Sequence, residues 1–318
     1  MIFFQRIRSR SLNVRHSIGR TISSGSFIPP PENVYNGTPS YTDVDISAGI
    51  LLDGASKKRN ADSGAVFVVS GANRGIGLGY VRALLDRSTG RVVACCRQPE
   101  EADALNSIVE EFGGDRVSVL PLDVTDGESV DRTAAEIKSK FGRVDVLINN
   151  AGVLGKGAEK NLAGINRDFL RWNLEVNVIG PMLLAKGLAP LMAAKKGRKY
   201  LDGRTSETVI VNMSARVASI SDNARAGICW HSYRMSKAAL NAGTRTMSHE
   251  LRRQGTWTLT LYPGLTDTDM SAPFQEGVKR NLIFPVDFTC ERMLNVVDSI
   301  NQTHSGGFFD WAGKAIPF

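Results

Sequence analysis

Apolar positions in this chain gather in short runs separated by helical spacing. The run 65–69, Ala-Val-Phe-Val-Val, is continuous and rich in β-branched residues, as a strand buried on both faces requires. Gly71, Gly75 and Gly77 follow at once, and helical spacing then runs through Ile76, Leu78, Tyr80, Val81, Leu84 and Leu85. The alternation repeats. Further strands are predicted over 91–96, 117–122, 144–148, 208–213, 259–262 and 307–310, with helices over 101–112, 128–141, 169–194, 233–253 and 285–301. Repeated βα units of this length predict an α/β fold, a Rossmann-like doubly wound parallel sheet in a single domain covering 64–318. No apolar run reaches the roughly 20 residues of a membrane-spanning helix, so no membrane role is expected.

The chain ahead of that domain reads differently. Residues 1–27 are rich in Arg and Ser and carry no acid, and Phe3, Phe4, Ile7 and Ser11 share a helical face beside Arg6 and Arg10. This is the composition of a transit peptide, and Arg20-Thr21-Ile22-Ser23 is similar to a mitochondrial processing site. A mitochondrial location is therefore expected, with plastid targeting or a plain basic arm on a cytoplasmic protein as alternatives. Residues 28–63, with Pro29-Pro30-Pro31 and scattered Gly, Ser and Asn, read as a linker in which a short patch over 46–52 docks on the domain.

Charge changes the picture little. Of the net charge of +7, five positive charges are Arg6, Arg8, Arg10, Arg15 and Arg20, all ahead of the first acid, Glu32. The folded part has no basic face, which argues against a nucleic-acid partner. Cys95, Cys96, Cys229 and Cys290 lack the spacing of a metal site and read as small core residues in a reducing compartment.

Two stretches carry chemistry by their residue types. A strand, a glycine-rich turn and a helix in succession bring backbone N–H groups and a helix N-terminus to a phosphate, although the spacing G-x-x-x-G-x-G also serves an ordinary tight turn. Tyr233 and Lys237, four apart, share a helical face. A nearby ammonium favours phenolate and lowers the tyrosine pKa toward a range useful for proton transfer. Alone, that pair is equally a solvated helix surface.

The order of motifs carries more weight. Ser70-Gly71-Ala72-Asn73-Arg74-Gly75-Ile76-Gly77, Asp123-Val124, Asn149-Asn150-Ala151-Gly152, Asn177, Tyr233 with Lys237, and Pro263-Gly264 stand in sequence at predicted strand ends. Over 65–311 the chain resembles the short-chain dehydrogenase/reductase family. Ser214-Ala215-Arg216-Val217-Ala218-Ser219-Ile220-Ser221-Asp222-Asn223 and the ending Phe308-Phe309-Asp310-Trp311-Ala312-Gly313 resemble the subgroup of C-factor and sniffer-type carbonyl reductases. The resemblance implies that Tyr233 is the general acid for carbonyl reduction, that Lys237 holds the nicotinamide ribose, and that Asn177 anchors a water linking Lys237 to solvent. It also implies that Gly71, Asn73, Arg74, Gly75, Ile76 and Gly77 bind the dinucleotide. Asp123 and Val124 would lie at its adenine, Asn150, Ala151 and Gly152 along it, and Pro263, Gly264 and Thr268 at its nicotinamide end. A dimer or tetramer through the long helices after the fourth and fifth strands is implied as well, with no metal.

One position departs from the family. Its catalytic serine stands second in a Ser-Ser pair after the fifth strand, and here the pair is Ser214-Ala215. Ser214 is expected to supply the missing hydroxyl, with Ser219 as the alternative. After the second strand the chain reads Cys96-Arg97-Gln98-Pro99, without the acid that would bind a ribose hydroxyl. A guanidinium suits a 2′-phosphate, so Arg97, assisted by Arg74, points to NADPH. The expected function is NADPH-dependent reduction of an aldehyde, ketone or quinone, the substrate contacted by the loops 153–166 and 270–283. The rival is a nucleotide-binding sensor or signalling protein with little catalysis, motivated by Ala215.

Overall fold

The computed structural model describes Phe27 and residues 29–47, 54–155, 159–197, 199–224 and 229–318. A short helix, α1 (Ala55–Asn60), comes first. There follow β1 (Val66–Ser70), α2 (Gly75–Arg87), β2 (Arg91–Cys96), α3 (Asp103–Phe112), β3 (Val117–Pro121), α4 (Gly127–Phe141) and β4 (Val146–Asn149). The second half runs through α5 (Arg167–Leu174), a π-helical turn (Glu175–Ile179), α6 (Gly180–Met192), a two-residue antiparallel pair β5 (Lys195–Lys196) and β6 (Lys199–Tyr200), and β7 (Thr208–Met213). It ends with α7 (His231–Leu251), β8 (Thr256–Tyr262), α8 (Val286–Ser299) and β9 (Gly307–Asp310).

The seven long strands form one parallel sheet in the order β3-β2-β1-β4-β7-β8-β9. The doubly wound α/β reading is therefore correct. Strand alternation sends Phe67, Val69, Val92, Ile148, Val211, Leu259 and Phe309 to an apolar face packed with residues of α2, α3 and α8. The opposite face packs Leu147 and Ile210 against Leu184, Leu188 and Met192 of α6. By length and composition the helical run Arg167–Met192 is apolar enough to cross a membrane; here its apolar stripe is the wall of this second core.

Two strand boundaries shift for identifiable reasons. β8 starts at Thr256 because its threonines, polar by composition, are paired in the core, with Thr258 Oγ1 donating to Thr244 O at 2.9 Å. β4 starts at Val146, since the Val144 N–H is taken by Leu191 O at 3.0 Å instead of by a strand neighbour.

The segment expected to be a linker is irregular over residues 29–47 but is strapped to the sheet edge. Asn33 Nδ2 and Tyr35 Oη donate to Asp310 Oδ2 at 3.0 and 2.5 Å. The Val44 N–H reaches Gly313 O at 2.7 Å, and the Ala315 N–H reaches Asp43 Oδ1 at 2.8 Å. Tyr41 meets Phe309 edge to face, and Phe27 packs against Phe284 and Phe288. Residues 55–60, within the same stretch, are helical. Ile46 packs on the core and Ser47 is exposed, whereas residues 48–52 of the expected docking patch, like nearly all of the expected transit peptide, lie outside the described residues.

Candidate active site

The glycine-rich turn leaves β1 at Ser70 and enters α2 at Gly75. Gly71 and Gly75 adopt φ of +64° and +54°, which L side chains rarely tolerate. A β-carbon at Gly71 would stand 2.9 Å from Ala151 Cα, and one at Gly77 would collide with Gly71 O and stand 2.5 Å from Asn150 Nδ2. The turn is braced from β4. Asn150 Nδ2 donates to Ser70 O and Gly71 O at 3.1 and 3.0 Å, while Ser70 Oγ accepts the Asn150 and Ala151 N–H groups, both at 3.1 Å. What remains is a bare backbone concavity at a helix N-terminus, a shape suited to a dinucleotide pyrophosphate. Asn73 and Arg74 are exposed on its rim, Ile76 is half-buried, and Arg74 pairs with Asp269 at 3.3 Å between two exposed side chains.

Neighbouring loops complete this end. Thr268 lies over the turn, its Cγ2 3.3 Å from where a Gly75 β-carbon would sit. Gly264, at φ +78°, lies against the Phe284 ring, and Pro263 O accepts from Thr266 Oγ1 at 3.4 Å. Asp123 Oδ1 accepts from Thr125 N and Oγ1 at 2.9 and 2.7 Å. Burial pushes the Asp123 carboxyl up, but the Thr125 bonds and the charge of Arg97 outweigh it and hold it below the usual carboxylate range. Arg97 is thus an exposed cation beside Asp123. Val124 is buried against Gly180 and supports the start of α6 rather than offering a polar contact.

The second cluster meets the first at Gly152. A β-carbon there would stand 3.2 Å from Asn177 Oδ1 and 3.4 Å from Lys237 Nζ, so the glycine keeps the two groups open to the turn. Asn177 sits in the π-helical turn, whose extra residue aims its fully buried amide inward. Its Oδ1 accepts from Val153 N at 2.8 Å, and its Nδ2 donates to Val153 O at 2.8 Å and Ser236 Oγ at 3.0 Å. Lys237 Nζ donates to Met213 O at 2.8 Å and lies 5.9 Å from the centre of the Tyr233 ring. The structure therefore brings Tyr233, Lys237, Asn177 and Gly152 together.

The electrostatics differ from the sequence-based expectation. Burial, assisted by the Tyr262 phenol, pushes the Tyr233 hydroxyl well above its ordinary pKa. Desolvation outweighs the lowering expected from the ammonium, which is itself shifted: burial brings Lys237 down to about 8. At neutral pH the pair is a neutral phenol beside a protonated amine.

Ser214 does not take the expected place. Its side chain turns to α7, where Oγ donates to Asn241 Oδ1 at 2.7 Å. Ser219 is committed too: its hydroxyl donates to Pro317 O and accepts from Asp222 N. Ala215 instead packs in the cluster of Leu154, Val217, Tyr233, Trp230 and Phe274. The cause is the strand period of two, which sends neighbours at a strand end to opposite sides.

Several residues here have no motif to reveal them. Trp230, at φ +37°, stacks edge to face on Phe274 with centroids 4.7 Å apart. Glu159, almost fully buried, caps α7 by accepting from the Ser232 N–H at 3.2 Å and from its hydroxyl, one residue before Tyr233. Tyr262 ends β8 immediately before Pro263-Gly264. Closeness in sequence to Tyr233 or to Pro263-Gly264 could have drawn attention to Trp230 and Tyr262, but nothing local marks Glu159, 73 residues before Ser232.

Comparisons with known proteins identify the family. Residues 65–279 match the sequence model of the short chain dehydrogenase family. C-signal of Myxococcus xanthus is 33% identical over 177 residues, covering 56% of this chain and 94% of that protein. Among solved structures, the NADPH-bound carbonyl reductase from chicken fatty liver is 32% identical with a TM-score of 0.69, covering 80% of this chain and 98% of that one. The carbonyl reductase Sniffer of D. melanogaster is 28% identical with a TM-score of 0.70, covering 81% and 100%. With the match spanning the glycine turn, the Asn177 π-turn and the Tyr233/Lys237 helix, the chain belongs to the short-chain dehydrogenase family of oxidoreductases.

Proposed function

We propose that this protein reduces a carbonyl compound, an aldehyde, ketone or quinone, with NADPH, and that Tyr233 donates the proton. The observation that carries the reading is the convergence of Tyr233, Lys237 and Asn177 on the open floor at Gly152. With its pyrophosphate at the glycine turn, the cofactor would supply hydride from its nicotinamide to the carbonyl carbon. Tyr233, held neutral by burial, keeps its proton until negative charge grows on the carbonyl oxygen and then gives it up. Lys237 remains protonated at neutral pH and donates to Met213 O, and in this reading it would hold a ribose hydroxyl of the cofactor. Arg97 and Arg74 flank the cofactor end with charge suited to a 2′-phosphate. Leu154, Val217, Trp230 and Phe274 wall the substrate side with apolar and aromatic surface, which favours apolar carbonyl compounds.

The test is NADPH oxidation across a panel of aldehydes, ketones and quinones. Wild-type turnover, reduced at least 10²-fold by Tyr233→Phe, is the expected result. The rival, a nucleotide-binding sensor, draws support from Ala215 and from the commitment of the Ser214 and Ser219 hydroxyls elsewhere. It predicts NADPH binding without Tyr233-dependent turnover on any member of the panel. Mitochondrial targeting by residues 1–27 is proposed on composition, and a diffuse signal from a fused fluorescent reporter would overturn it. Self-association through α5, the π-turn and α7 is proposed as well, supported by exposed Trp172, Ile179 and Met235 on those elements.

A further inference from the structure

We propose that the N-terminal strap completes the substrate side of the site: residues 33–37 fix Arg216, which makes Arg216 a positioning residue for the wall that Ala215 and Val217 build beside Tyr233. The inference rests on the carbonyl-reduction reading above and adds to it what shapes the substrate pocket.

The wall begins where β7 ends. Ala215 leads into a single 3₁₀ turn, Arg216–Ala218, closed by Ala218 N on Ala215 O at 2.9 Å and by Ser219 N on Arg216 O at 3.0 Å. Val217, in the middle of that turn, is buried in one cluster with Leu154 and Tyr233, and Ala215 packs against the same cluster. A loop beyond a strand end yields more easily than the sheet, so the groups that grip it from outside set its shape. Arg216 is the handle. Its Nε and Nη2 donate to Asp222 Oδ2 and Oδ1 at 2.7 and 3.2 Å, tying the start of the loop to its end.

The strap grips both members of that pair. Arg216 Nη2 also donates to Val34 O at 2.8 Å, and its guanidinium lies over the Tyr35 ring, 4.7 Å from the centroid. Asn36 N and Nδ2 donate to Asp222 Oδ1 and O at 2.7 and 3.0 Å. At Gly37, with φ +85°, a β-carbon would stand 3.0 Å from Ser221 Cβ. The same residues are anchored to the sheet, since Asn33 and Tyr35 donate to Asp310 of β9. The strap therefore links a sheet edge to the turn that carries Val217. Apolar burial is not its role here: the Val34 side chain is 84% exposed, and it is the carbonyl that binds Arg216. The strap also lies ahead of the segment matched to the family, which begins at residue 65. A wall held in place before binding lowers the cost of ordering it around a ligand. The clamp thus acts on substrate binding rather than on proton transfer from Tyr233.

The experiment uses the full chain with saturating NADPH, a bulky aryl ketone and a small aldehyde. It compares wild type, Tyr35→Leu, Tyr35→Phe, Arg216→Gln and the Tyr35→Leu/Arg216→Gln double variant. Tyr35→Leu is expected to raise KM for the ketone about 10-fold and for the aldehyde less than about 2-fold, with kcat nearly unchanged. Tyr35→Phe keeps the ring under Arg216 and is expected to restore the wild-type KM. Arg216→Gln should match Tyr35→Leu, and the double variant should be no worse than either, because both break one contact. Should Tyr35→Leu fail to fold, Arg216→Gln carries the same KM test. A strap that only stabilises the fold would lower the thermal midpoint and kcat for both substrates and leave KM alone. That outcome overturns the inference, as do additive KM effects in the double variant or a Tyr35→Phe as impaired as Tyr35→Leu. Each leaves the reading standing provided that Tyr233→Phe is inactive. No turnover by wild type on any carbonyl of the panel overturns both.

Discussion

Around the ends of β1 and β4 the site is made of backbone, whereas around the ends of β7, β8 and β9 it is made of side chains held by other side chains. In the first region Gly71, Gly75 and Gly77 clear space, and Asn150 and Ser70 lock two strand ends together without entering that space. In the second, Asn149 donates to Asn212 at 2.8 Å and Asn212 donates to Thr244 at 2.8 Å, tying the sheet to α7 through buried amides and hydroxyls. The far edge relies on the strap of residues 29–47 held by Asp310. A backbone cradle suits a ligand part that never varies, such as a pyrophosphate. A lattice of side chains can be exchanged one residue at a time, as Ala215 illustrates.

The largest expected effect comes from breaking the cradle. Gly77→Val would drive a branched side chain into Gly71 O and the Asn150 amide, and overpacking of this kind costs about 3 kcal/mol. Urea unfolding should show that loss together with loss of NADPH binding; retained binding would mean that the turn can yield. Next is Asp310→Ala on the other side. Fully buried Asp310 accepts from Asn33, Tyr35, Ala312 N and Lys314 N, and its removal strands those donors at a cost of about 2–3 kcal/mol. The strap should then become open to protease while NADPH affinity holds. If affinity falls as well, the two regions are not separable.

The third effect concerns pH. Lys237 titrates at about 8 in the folded protein against 10.5 for a free lysine. Between those values the unfolded chain binds more protons than the folded one, so stability rises with pH across that window. Below it the full cost of burying the ammonium is present. Lys237→Met should remove that slope and leave the protein more stable at pH 7, as measured by unfolding at several pH values. An unchanged slope would assign the proton to another group.

Legibility in the sequence divides along similar lines. The parallel sheet was readable because strands buried on both faces, such as 65–69 and 208–213, must be continuous apolar runs. The glycine turn and the Tyr233/Lys237 pair were readable because their chemistry demands fixed residue types at fixed spacing. The orientation of Ser214 was not, because a strand end points a side chain one way or the other according to register with its neighbours. Residues 29–47 resembled a linker because nothing local marks a segment whose partners, Asp310, Asp222 and Gly313, lie far along the chain. The raised Tyr233 pKa was also hidden, since desolvation depends on what closes over the ring.

By itself, then, the sequence determined the alternation of strands and helices, the glycine cradle and the residues equipped for proton transfer. Each of these is fixed by local sterics or by the identity of a side chain. Only the tertiary structure decided which hydroxyls face Tyr233, how far burial shifts Tyr233 and Lys237, and where the N-terminal segment goes. Direction, desolvation and long-range pairing are properties of neighbours that the chain meets only once it has folded.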